Sequence, residues 1–362
     1  MTYAPTNPVD VPPYQLQHLF STPGYLFGET QITCAQAFGS EIYAGCSNGE
    51  LIRFALQADD PNKLESYSIL SRQAVPNEKP VDEIVLVPCL GRAFILSDRI
   101  LHFYTLPTLD PVSLNIVKPI RHVVTFAVDH RDLQRPAISP NTSSTALEPV
   151  NFCVVKRTGI AMYVMRERMN FIKEIPLPQG ASLARRLGHY LCIADKEHYS
   201  MVDLEAASLF PVIPISQAPD SDVPIQPSIT IVGDNEFLIL SWTGATTIGL
   251  FITTDGDPVR GTLEWPSHPE AVCLDYPYVT TLLPNGTIEI HSIETQAIVQ
   301  VIGADNFSTP IRPTGQQDQQ QRLRIDLVSS LGGYLVPSIQ RSEKMRTTQV
   351  RLLRLQEQTP ST

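Results

Sequence analysis

The stretch Glu41-Ile-Tyr-Ala-Gly-Cys46 is followed by Ser47-Asn48-Gly49 and then by Glu50-Leu-Ile-Arg-Phe-Ala-Leu56. Both flanking runs are rich in residues that favour β-strands. The Asn-Gly pair between them supplies the positive φ that a tight hairpin requires. Together with the preceding run, Ile32–Phe38, these residues predict three consecutive antiparallel strands.

A run of this kind recurs seven times along the chain, each time followed by a tight turn and a second run. The seven runs begin at Glu41, Arg92, Asn151, Tyr190, Glu236, Pro277 and Gly333. Successive starts lie 39 to 59 residues apart, a spacing that suits one blade of a β-propeller with its loops. Seven runs predict a seven-bladed propeller. Because the second and third intervals include long loops, a count of six to eight blades stays open.

Later units repeat the same hairpin pattern and show no sustained helical periodicity. Asp255-Gly256 and Asn285-Gly286 each separate two β-type runs. The continuously apolar run Phe237–Leu240 is expected of a strand covered on both faces, whereas Thr287-Ile-Glu-Ile-His291 alternates as an outer strand does. The chain is therefore predicted to be all-β.

Both chain ends are predicted to share the last blade. The final unit offers three β-type runs and lacks a fourth; the three are Leu323–Val328, Gly333–Pro337 and Thr347–Leu355. The spare run Tyr14–Phe20 is expected to join that blade and close the ring, which leaves no long exposed edge. Residues 14–356 are thus assigned to one propeller, with flexible tails at 1–13 and 357–362.

Composition and charge favour a cytoplasmic protein. Apolar residues make up 43% of the chain and charged residues 18%, which is enough for a large core and too little charge for a disordered chain. The net charge of −10 disfavours nucleic acid and anionic membrane surfaces, unless local basic patches override it. Six widely spaced cysteines without a C-x-x-C pair argue against a disulfide framework. The chain begins without a signal segment, and no apolar stretch approaches the roughly 18 residues of a membrane span.

Two motifs match catalytic sequences, and neither has the context that its chemistry needs. Gly45-Cys-Ser-Asn-Gly49 fits G-x-S-x-G, but the serine of that motif belongs on a strand-to-helix turn, and Ser47 is predicted to begin a hairpin. His130-Arg-Asp-Leu133 matches the start of a kinase catalytic loop, yet Ala137 stands where the metal-binding Asn belongs, so a solvated loop is predicted. The eight histidines form no closely spaced pair. We predict no enzyme activity, no metal site and no cofactor.

Basic residues concentrate in the third and fourth units of this acidic chain. The candidate partner-binding residues are Arg166, Arg168, Arg185 and Arg186. Such a cluster suits an acidic partner protein. The alternative is an ordinary solvated face.

An ordered set of segments across most of residues 28–302 resembles the citron-homology (CNH) domain. The set includes Ala93-Phe-Ile-Leu-Ser-Asp98, Phe171-Ile-Lys-Glu-Ile175, Glu236-Phe-Leu-Ile239, Gly249-Leu-Phe251 and Asp275-Tyr-Pro-Tyr-Val279. Within that superfamily the chain is similar to the N-terminal domain of the TGF-beta-receptor-associated protein and its fungal vacuolar-sorting relatives. These are subunits of the CORVET and HOPS tethering complexes, and the segment at Gly249 is closer to the CORVET type.

The resemblance implies a non-enzymatic recognition domain that helps bind a GTP-loaded Rab GTPase before vesicle fusion. It also implies sibling subunits as partners, and peripheral association with endosomal or vacuolar membranes through partners. A HOPS-type subunit that binds a late-endosomal or vacuolar Rab is one alternative, and a scaffold that binds only sibling subunits or receptor tails is another. A hydrolase that uses Ser47 is a third. Complete family members continue into a C-terminal α-solenoid, which this sequence lacks, and the family offers no catalytic residue and no short Rab-contact motif.

Overall fold

The computed structural model describes most of the chain between Tyr14 and Leu352. The described residues are 14–23, 30, 32–38, 41–57, 66–138, 147–218, 225–302, 324–325, 328–330, 333–339 and 344–352. The two predicted tails, 1–13 and 357–362, lie outside this set. Within it, 29 strands and one helical turn of α type follow one another along the chain, so the all-β prediction is confirmed.

The first strand, β1 (Tyr14–Pro23), belongs to a sheet that both chain ends share. The first two four-stranded blades follow it. Blade 1 holds β2 (Ile32–Phe38), β3 (Glu41–Cys46), β4 (Glu50–Gln57) and β5 (Ser66–Ala74). Blade 2 holds β6 (Val81–Val87), β7 (Arg92–Ser97), β8 (Ile100–Thr105) and β9 (Ile120–Arg121). The strands of each blade pair antiparallel in chain order.

The next two blades contain the predicted basic residues. Blade 3 holds β10 (Thr125–Val128), β11 (Val150–Val155), β12 (Gly159–Met165) and β13 (Met169–Pro176). Blade 4 holds β14 (Leu183–Leu187), β15 (Tyr190–Ala194), β16 (His198–Asp203) and β17 (Ser208–Pro214). Their strands also pair in chain order.

Two further blades and the shared terminal sheet complete the described fold. Blade 5 holds β18 (Ile229–Gly233), β19 (Glu236–Trp242), β20 (Thr247–Ile252) and β21 (Leu263–Trp265). Blade 6 holds β22 (Ala271–Asp275), β23 (Tyr278–Leu282), β24 (Ile288–Ser292) and β25 (Ile298–Ile302). The terminal sheet contains β26 (Arg324–Ile325), β27 (Val328–Ser330), β28 (Gly333–Ile339) and β29 (Lys344–Leu352) together with β1.

The prediction of seven blades is wrong, because the described residues form six four-stranded blades. The unit that begins at Gly333 lies in the five-stranded terminal sheet, where β26 and β27 both pair with β28. In that sheet β1 pairs antiparallel with β29, from Tyr14 opposite Leu352 to Pro23 opposite Lys344. The sequence repeat counts hairpins, and the hairpin of β28 and β29 recurs here without a regular four-stranded blade. β26 and β27 are only two and three residues long and both pair with β28, while β1 supplies the strand beside β29.

The first strand of each blade lies at the centre of the propeller. β2 contacts β6, β10 contacts β14, and β14 and β18 each contact the first strand of the following blade. β27 of the terminal sheet contacts both β22 and β2. The second strands are the most apolar ones, because neighbouring strands and neighbouring blades cover them, and Phe237–Leu240 in β19 are all buried.

Aromatic side chains join blade 2 to blade 3. The ring centroid of Phe94 lies 5.1 Å from that of Phe152 and 4.9 Å from that of Phe103, both in edge-on geometry. These rings are buried in one hydrophobic cluster that spans the two blades. Offset and edge-on aromatic pairs add stability beyond the area they bury, so these rings stabilise the junction of the two blades.

The predicted glycine turns are confirmed. Gly49, Gly256 and Gly286 have φ values of 83°, 85° and 80°, a region that suits glycine because it has no Cβ. The amide of Gly49 donates to the carbonyl of Cys46 at 3.1 Å, which closes the turn that contains Ser47.

Residues 130–133 depart from the predicted solvated loop. They form α1 (His130–Leu133), a single helical turn between β10 and β11. The carboxylate of Asp129 accepts a hydrogen bond from the amide of Arg131 at 3.1 Å, so Asp129 caps this turn. In the part of the chain that the structure describes, no helix has the length and apolar composition of a membrane span.

Candidate partner-binding surface

The structure does not bring the four predicted arginines together. Arg166 and Arg168 lie in the turn that joins β12 to β13, and both side chains are exposed. Arg185 and Arg186 lie on β14, the innermost strand of the next blade. One pair is therefore at the outer side of blade 3 and the other near the propeller centre. Partner binding at these four positions stays a prediction.

Arg186 is buried at the junction of blades 3 and 4. Its Nε donates to the carbonyl of Gly188 at 2.9 Å, and its Nη1 contacts Sγ of Cys153 at 3.4 Å. The carboxylate of Asp129 lies 3.9 Å from Nε, and both side chains are less than a tenth exposed. The guanidinium thus joins α1 to β14 inside the protein.

Arg185 faces the centre of the propeller. Its Nη1 lies 3.4 Å from Oε1 of Glu83 on β6 and donates to the carbonyl of Ala184 at 2.9 Å. Burial raises the pKa of Glu83, and the charge of Asp82 acts in the same direction, while the Arg185 guanidinium opposes them. Adjacent arginines on one strand therefore have different environments, because neighbouring side chains point to opposite faces.

Strand β13 exposes two large apolar side chains beside the Arg166–Arg168 turn. Phe171 is 57% exposed and Ile172 is 47% exposed. The Phe171 ring packs edge-on against Tyr163 with centroids 5.7 Å apart, and Tyr163 stacks on Phe152 at 5.3 Å. The exposed ring is therefore held against the core. Among the described residues β13 pairs with β12 alone, so its other edge is open to a partner.

The charges along β13 divide into paired and unpaired ones. Nζ of Lys173 donates to the carbonyl of Glu205 at 3.2 Å, and Lys156 lies 3.6 Å from Glu174. The side chains of Arg166 and Arg168 have no polar partner among the described residues. Arg168 is three residues from Phe171, about 10 Å along a strand. We call Arg166, Arg168, Phe171 and Ile172 the β13 surface.

The sequence indicates the arginines of this surface but not its apolar half. Two consecutive large apolar residues, Phe171 and Ile172, interrupt the alternation of a regular outer strand, and that signal is visible in the sequence. In the structure Phe171 lies opposite Tyr163 and Lys173 opposite Met162, so Ile172 is the extra residue of a β-bulge. The exposure of both side chains depends on this bulge and on the position of β13 at the sheet edge.

Within the described residues, the Ser47 motif lacks its hydrolase context and no metal-ligand cluster occurs. Ser47 lies in a strand-to-strand turn, and no strand-to-helix elbow holds it. No group of three or more His, Cys, Asp or Glu side chains is placed to hold a metal ion within the described ranges. Burial raises the pKa of the Cys153 thiol to about 11 and those of Cys46 and Cys192 to about 12, whereas reactive cysteines have lowered values.

The fold defines the class of protein, a β-propeller domain. The chain superposes on the solved AfRom2 CNH domain with a TM-score of 0.60 and 18% identity, over 94% of this chain and 100% of that one. At that identity the likeness shows the fold alone.

Sequence comparison places the chain more narrowly. The family model described as the VPS3 N-terminal domain matches residues 28–305, and the chain belongs to that family. The resemblance found in the sequence is thereby confirmed.

Two curated relatives illustrate the match. Transforming growth factor-beta receptor-associated protein 1 of Mus musculus is 23% identical over 278 residues, which cover 75% of this chain and 30% of the relative. Vacuolar protein sorting-associated protein 3 of Schizosaccharomyces pombe is 21% identical over 277 residues, covering 76% of this chain and 28% of the relative. The chain thus matches less than a third of the length of these relatives.

Proposed function

We propose that this propeller is the recognition domain of a vacuolar or endosomal tethering subunit of the CORVET type. It binds a GTP-loaded Rab GTPase non-covalently before vesicle fusion. Other tethering subunits bind the same protein, which associates peripherally with endosomal or vacuolar membranes through its partners. The proposal assigns it a binding role and no catalytic step.

Membership of the VPS3 N-terminal domain family supports the tethering role. The names of these relatives refer to vacuolar protein sorting and to receptor association. The β13 surface is the observation that carries the binding role, since it joins an exposed aromatic–aliphatic pair to two arginines without polar partners. Aromatic, aliphatic and arginine side chains of this kind dominate the energetics of protein–protein interfaces.

The rigidity of the β13 surface suits a partner that changes its order with the bound nucleotide. In a small GTPase the γ-phosphate orders two switch segments, and hydrolysis releases them. A surface whose aromatic ring is already packed on the core contributes little ordering cost of its own. Its affinity for the two nucleotide states then differs by the cost of ordering the switches in the partner.

Binding to a panel of endosomal and vacuolar Rab proteins, each loaded with GDP or a GTP analogue, tests the proposal. We expect one early-endosomal Rab to bind at least about tenfold more tightly in the GTP form, a difference of about 1.4 kcal/mol. Selective binding of a late-endosomal or vacuolar Rab would instead favour the HOPS-type alternative. Equal binding of the two nucleotide forms would overturn nucleotide recognition.

Sibling subunits serve as the second arm of the same experiment. A chain that captures tethering subunits and binds no Rab in either nucleotide state would be a scaffold, and the GTPase part of the proposal would be wrong.

An activity screen with esters and phosphoesters, on the wild type and on Ser47→Ala, checks the assignment of a non-enzymatic role. Turnover that Ser47→Ala abolishes would overturn that assignment.

A further inference from the structure

The outer strand of blade 2, β9, has only two residues, and a loop occupies the rest of this edge. The amide of Val112 donates to the carbonyl of Phe103 at 3.0 Å, and the chain returns to the sheet only at β9, opposite Ile100 and Leu101. The residues between these two points leave the edge of the blade. We call residues 113–124, which run from this excursion to the start of β10, the blade-2 rim loop.

The blade-2 rim loop is anchored by buried side chains and exposes others. Val117, Ile120 and Val123 are buried in the cluster that joins blades 2 and 3. Leu114 is 64% exposed and Ile116 is 45% exposed. The carbonyl of Ser113 accepts hydrogen bonds from the amides of Ile116 at 2.9 Å and Val117 at 3.1 Å. The two exposed apolar side chains therefore stand on an ordered turn that is fastened to the core.

The same loop is a basic region on an acidic protein. Residues 111–128 contain no Asp or Glu, while Lys118 and Arg121 are exposed. The amide of Val123 donates to the carbonyl of Arg99 at 2.9 Å, and the amide of Val124 to that of Val155 at 2.8 Å.

These backbone bonds place two neighbouring turns beside the loop. Arg99 lies in one of them and Arg157 in the other, and both side chains are exposed. Within the part of the chain that the structure describes, Arg99, Lys118, Arg121 and Arg157 form no ion pair.

Asp98 and Asp110 lie next to the basic region in the sequence, and each carboxylate accepts a hydrogen bond from a nearby side chain. Asp98 accepts from Nδ2 of Asn77 at 3.3 Å. Asp110 accepts from Oγ1 of Thr108. Neither forms an ion pair with the basic side chains of the rim loop. The cations thus face solvent without an internal counter-charge.

We propose that the blade-2 rim loop docks on an anionic lipid bilayer, with Leu114 and Ile116 entering the headgroup region. Projecting apolar side chains can enter the boundary between headgroups and acyl chains, and flanking cations interact with anionic headgroups. The charge of the segment favours a bilayer as the occupant. Leu114 and Ile116 share one turn, and Lys118 and Arg121 follow them in a stretch of 18 residues without an acid, which is the combination that anionic lipid headgroups attract.

The net charge of −10 repels an anionic bilayer, so only the cations of the loop attract it, and this attraction is local and depends on salt. Charges beyond about 8 Å are largely screened at physiological ionic strength, so the cations of the loop act on lipids that they nearly touch. Each such cation contributes about a tenfold change or less to membrane affinity. The loop therefore supplies a weak additional contact with the membrane.

Co-sedimentation of the 362-residue chain with phosphatidylcholine vesicles, prepared with and without phosphatidylserine, tests the proposal. We expect binding to the anionic vesicles only. Leu114→Ser/Ile116→Ser and Lys118→Ala/Arg121→Ala should each lower the partition coefficient on the order of tenfold. Ile298→Ser/Val301→Ser on β25 is the matched control, because these side chains are also exposed and apolar and lie in blade 6.

A fluorescent reporter checks where the loop goes. Leu114→Trp adds an exposed indole to a chain with two Trp residues, of which Trp265 is fully buried. We expect its emission to shift to the blue on addition of anionic vesicles and not of neutral ones. An unshifted emission, or equal partition of the loop variants and the wild type, would overturn the proposal. The proposal would also be overturned if the wild type bound no vesicles and the loop variants lost binding to sibling subunits. The loop would then be a protein-docking surface.

Discussion

Oε1 of Glu83 on β6 lies 3.4 Å from Nη1 of Arg185 on β14, although their strands belong to blades 2 and 4. The side chains meet because the first strand of each blade faces the propeller centre. About a quarter of the Glu83 side chain and about a third of the Arg185 side chain are exposed. The pair thus links two blades that share no sheet.

Removing Arg185 should destabilise the protein more at neutral pH than in mild acid. Burial already raises the pKa of Glu83 above its ordinary value, and Arg185 opposes this, so Arg185→Ala raises it further. When the pKa of a carboxyl is higher in the folded than in the unfolded protein, the free energy of unfolding falls as the pH rises from the unfolded-state pKa through the folded-state pKa. We expect a cost of about 1 kcal/mol at pH 7 and less near pH 4, measured by urea unfolding. Glu83→Gln in the Arg185→Ala background should recover part of the loss, and a cost independent of pH would contradict this account.

Arg186→Ala should cost far more than a substitution of an exposed arginine. It removes hydrogen bonds to Gly188 and Cys153 and leaves the carboxylate of Asp129 without its cation. Breaking one partner of a buried pair costs about 3–5 kcal/mol. Arg168→Ala is the control, since that side chain is exposed, and it should change the free energy of unfolding by less than about 0.5 kcal/mol. Similar values for the two variants would show that Arg186 is not part of the blade junction.

Gly249→Ala should destabilise blade 5. A Cβ at this position would lie 2.7 Å from Cζ3 of Trp265 and 3.1 Å from Cδ1 of Leu238. Trp265 cannot retreat easily, because its Nε1 donates to Oγ1 of Thr281 at 2.8 Å and the ring is fully buried. Overpacking of this kind costs about 1–3 kcal/mol.

The matched control for that substitution is Gly233→Ala. An added Cβ there meets no atom within 4 Å, so we expect thermal unfolding to change little. Equal shifts of Tm for the two variants would argue that the contact with Trp265 is not the cause.

Phe171→Ser/Ile172→Ser should weaken binding of the GTP-form partner while the protein stays folded. Both side chains are about half exposed and Phe171 packs on Tyr163, so we expect a modest loss of stability, whereas an interface loses its apolar anchors at about 1 kcal/mol or more each. Titration of the variant against the Rab selected in the binding panel measures this. Ile298→Ser/Val301→Ser serves as control, and unchanged affinity of the β13 variant would exclude this surface as the docking site.

Much of the local structure could be predicted from particular residues. The bounds Ile32–Phe38 and Glu41–Cys46 agree with the structure to the residue. Strand bounds of this kind are set by short-range features, namely apolar runs that end at Gly-containing turns. The candidate site was predictable only in part, because burial is not a local property. Arg185 and Arg186 are adjacent and chemically equal, yet one faces the central ion pair and the other lies inside a blade junction.

The sequence by itself determined an all-β chain of hairpin repeats and the family to which it belongs. Hairpin signals act between residues that are near one another in the chain, and the ordered family segments are carried by the residues themselves. Only the tertiary structure decided that the regular blades number six. It also decided that Phe171 and Ile172 are exposed beside Arg166 and Arg168, while Arg186 is not. Those outcomes depend on contacts between distant parts of the chain. Alternation along a strand does not reveal them, because residues 287–291 alternate as an outer strand does, yet β24 is the third strand of blade 6 and all of its residues are buried.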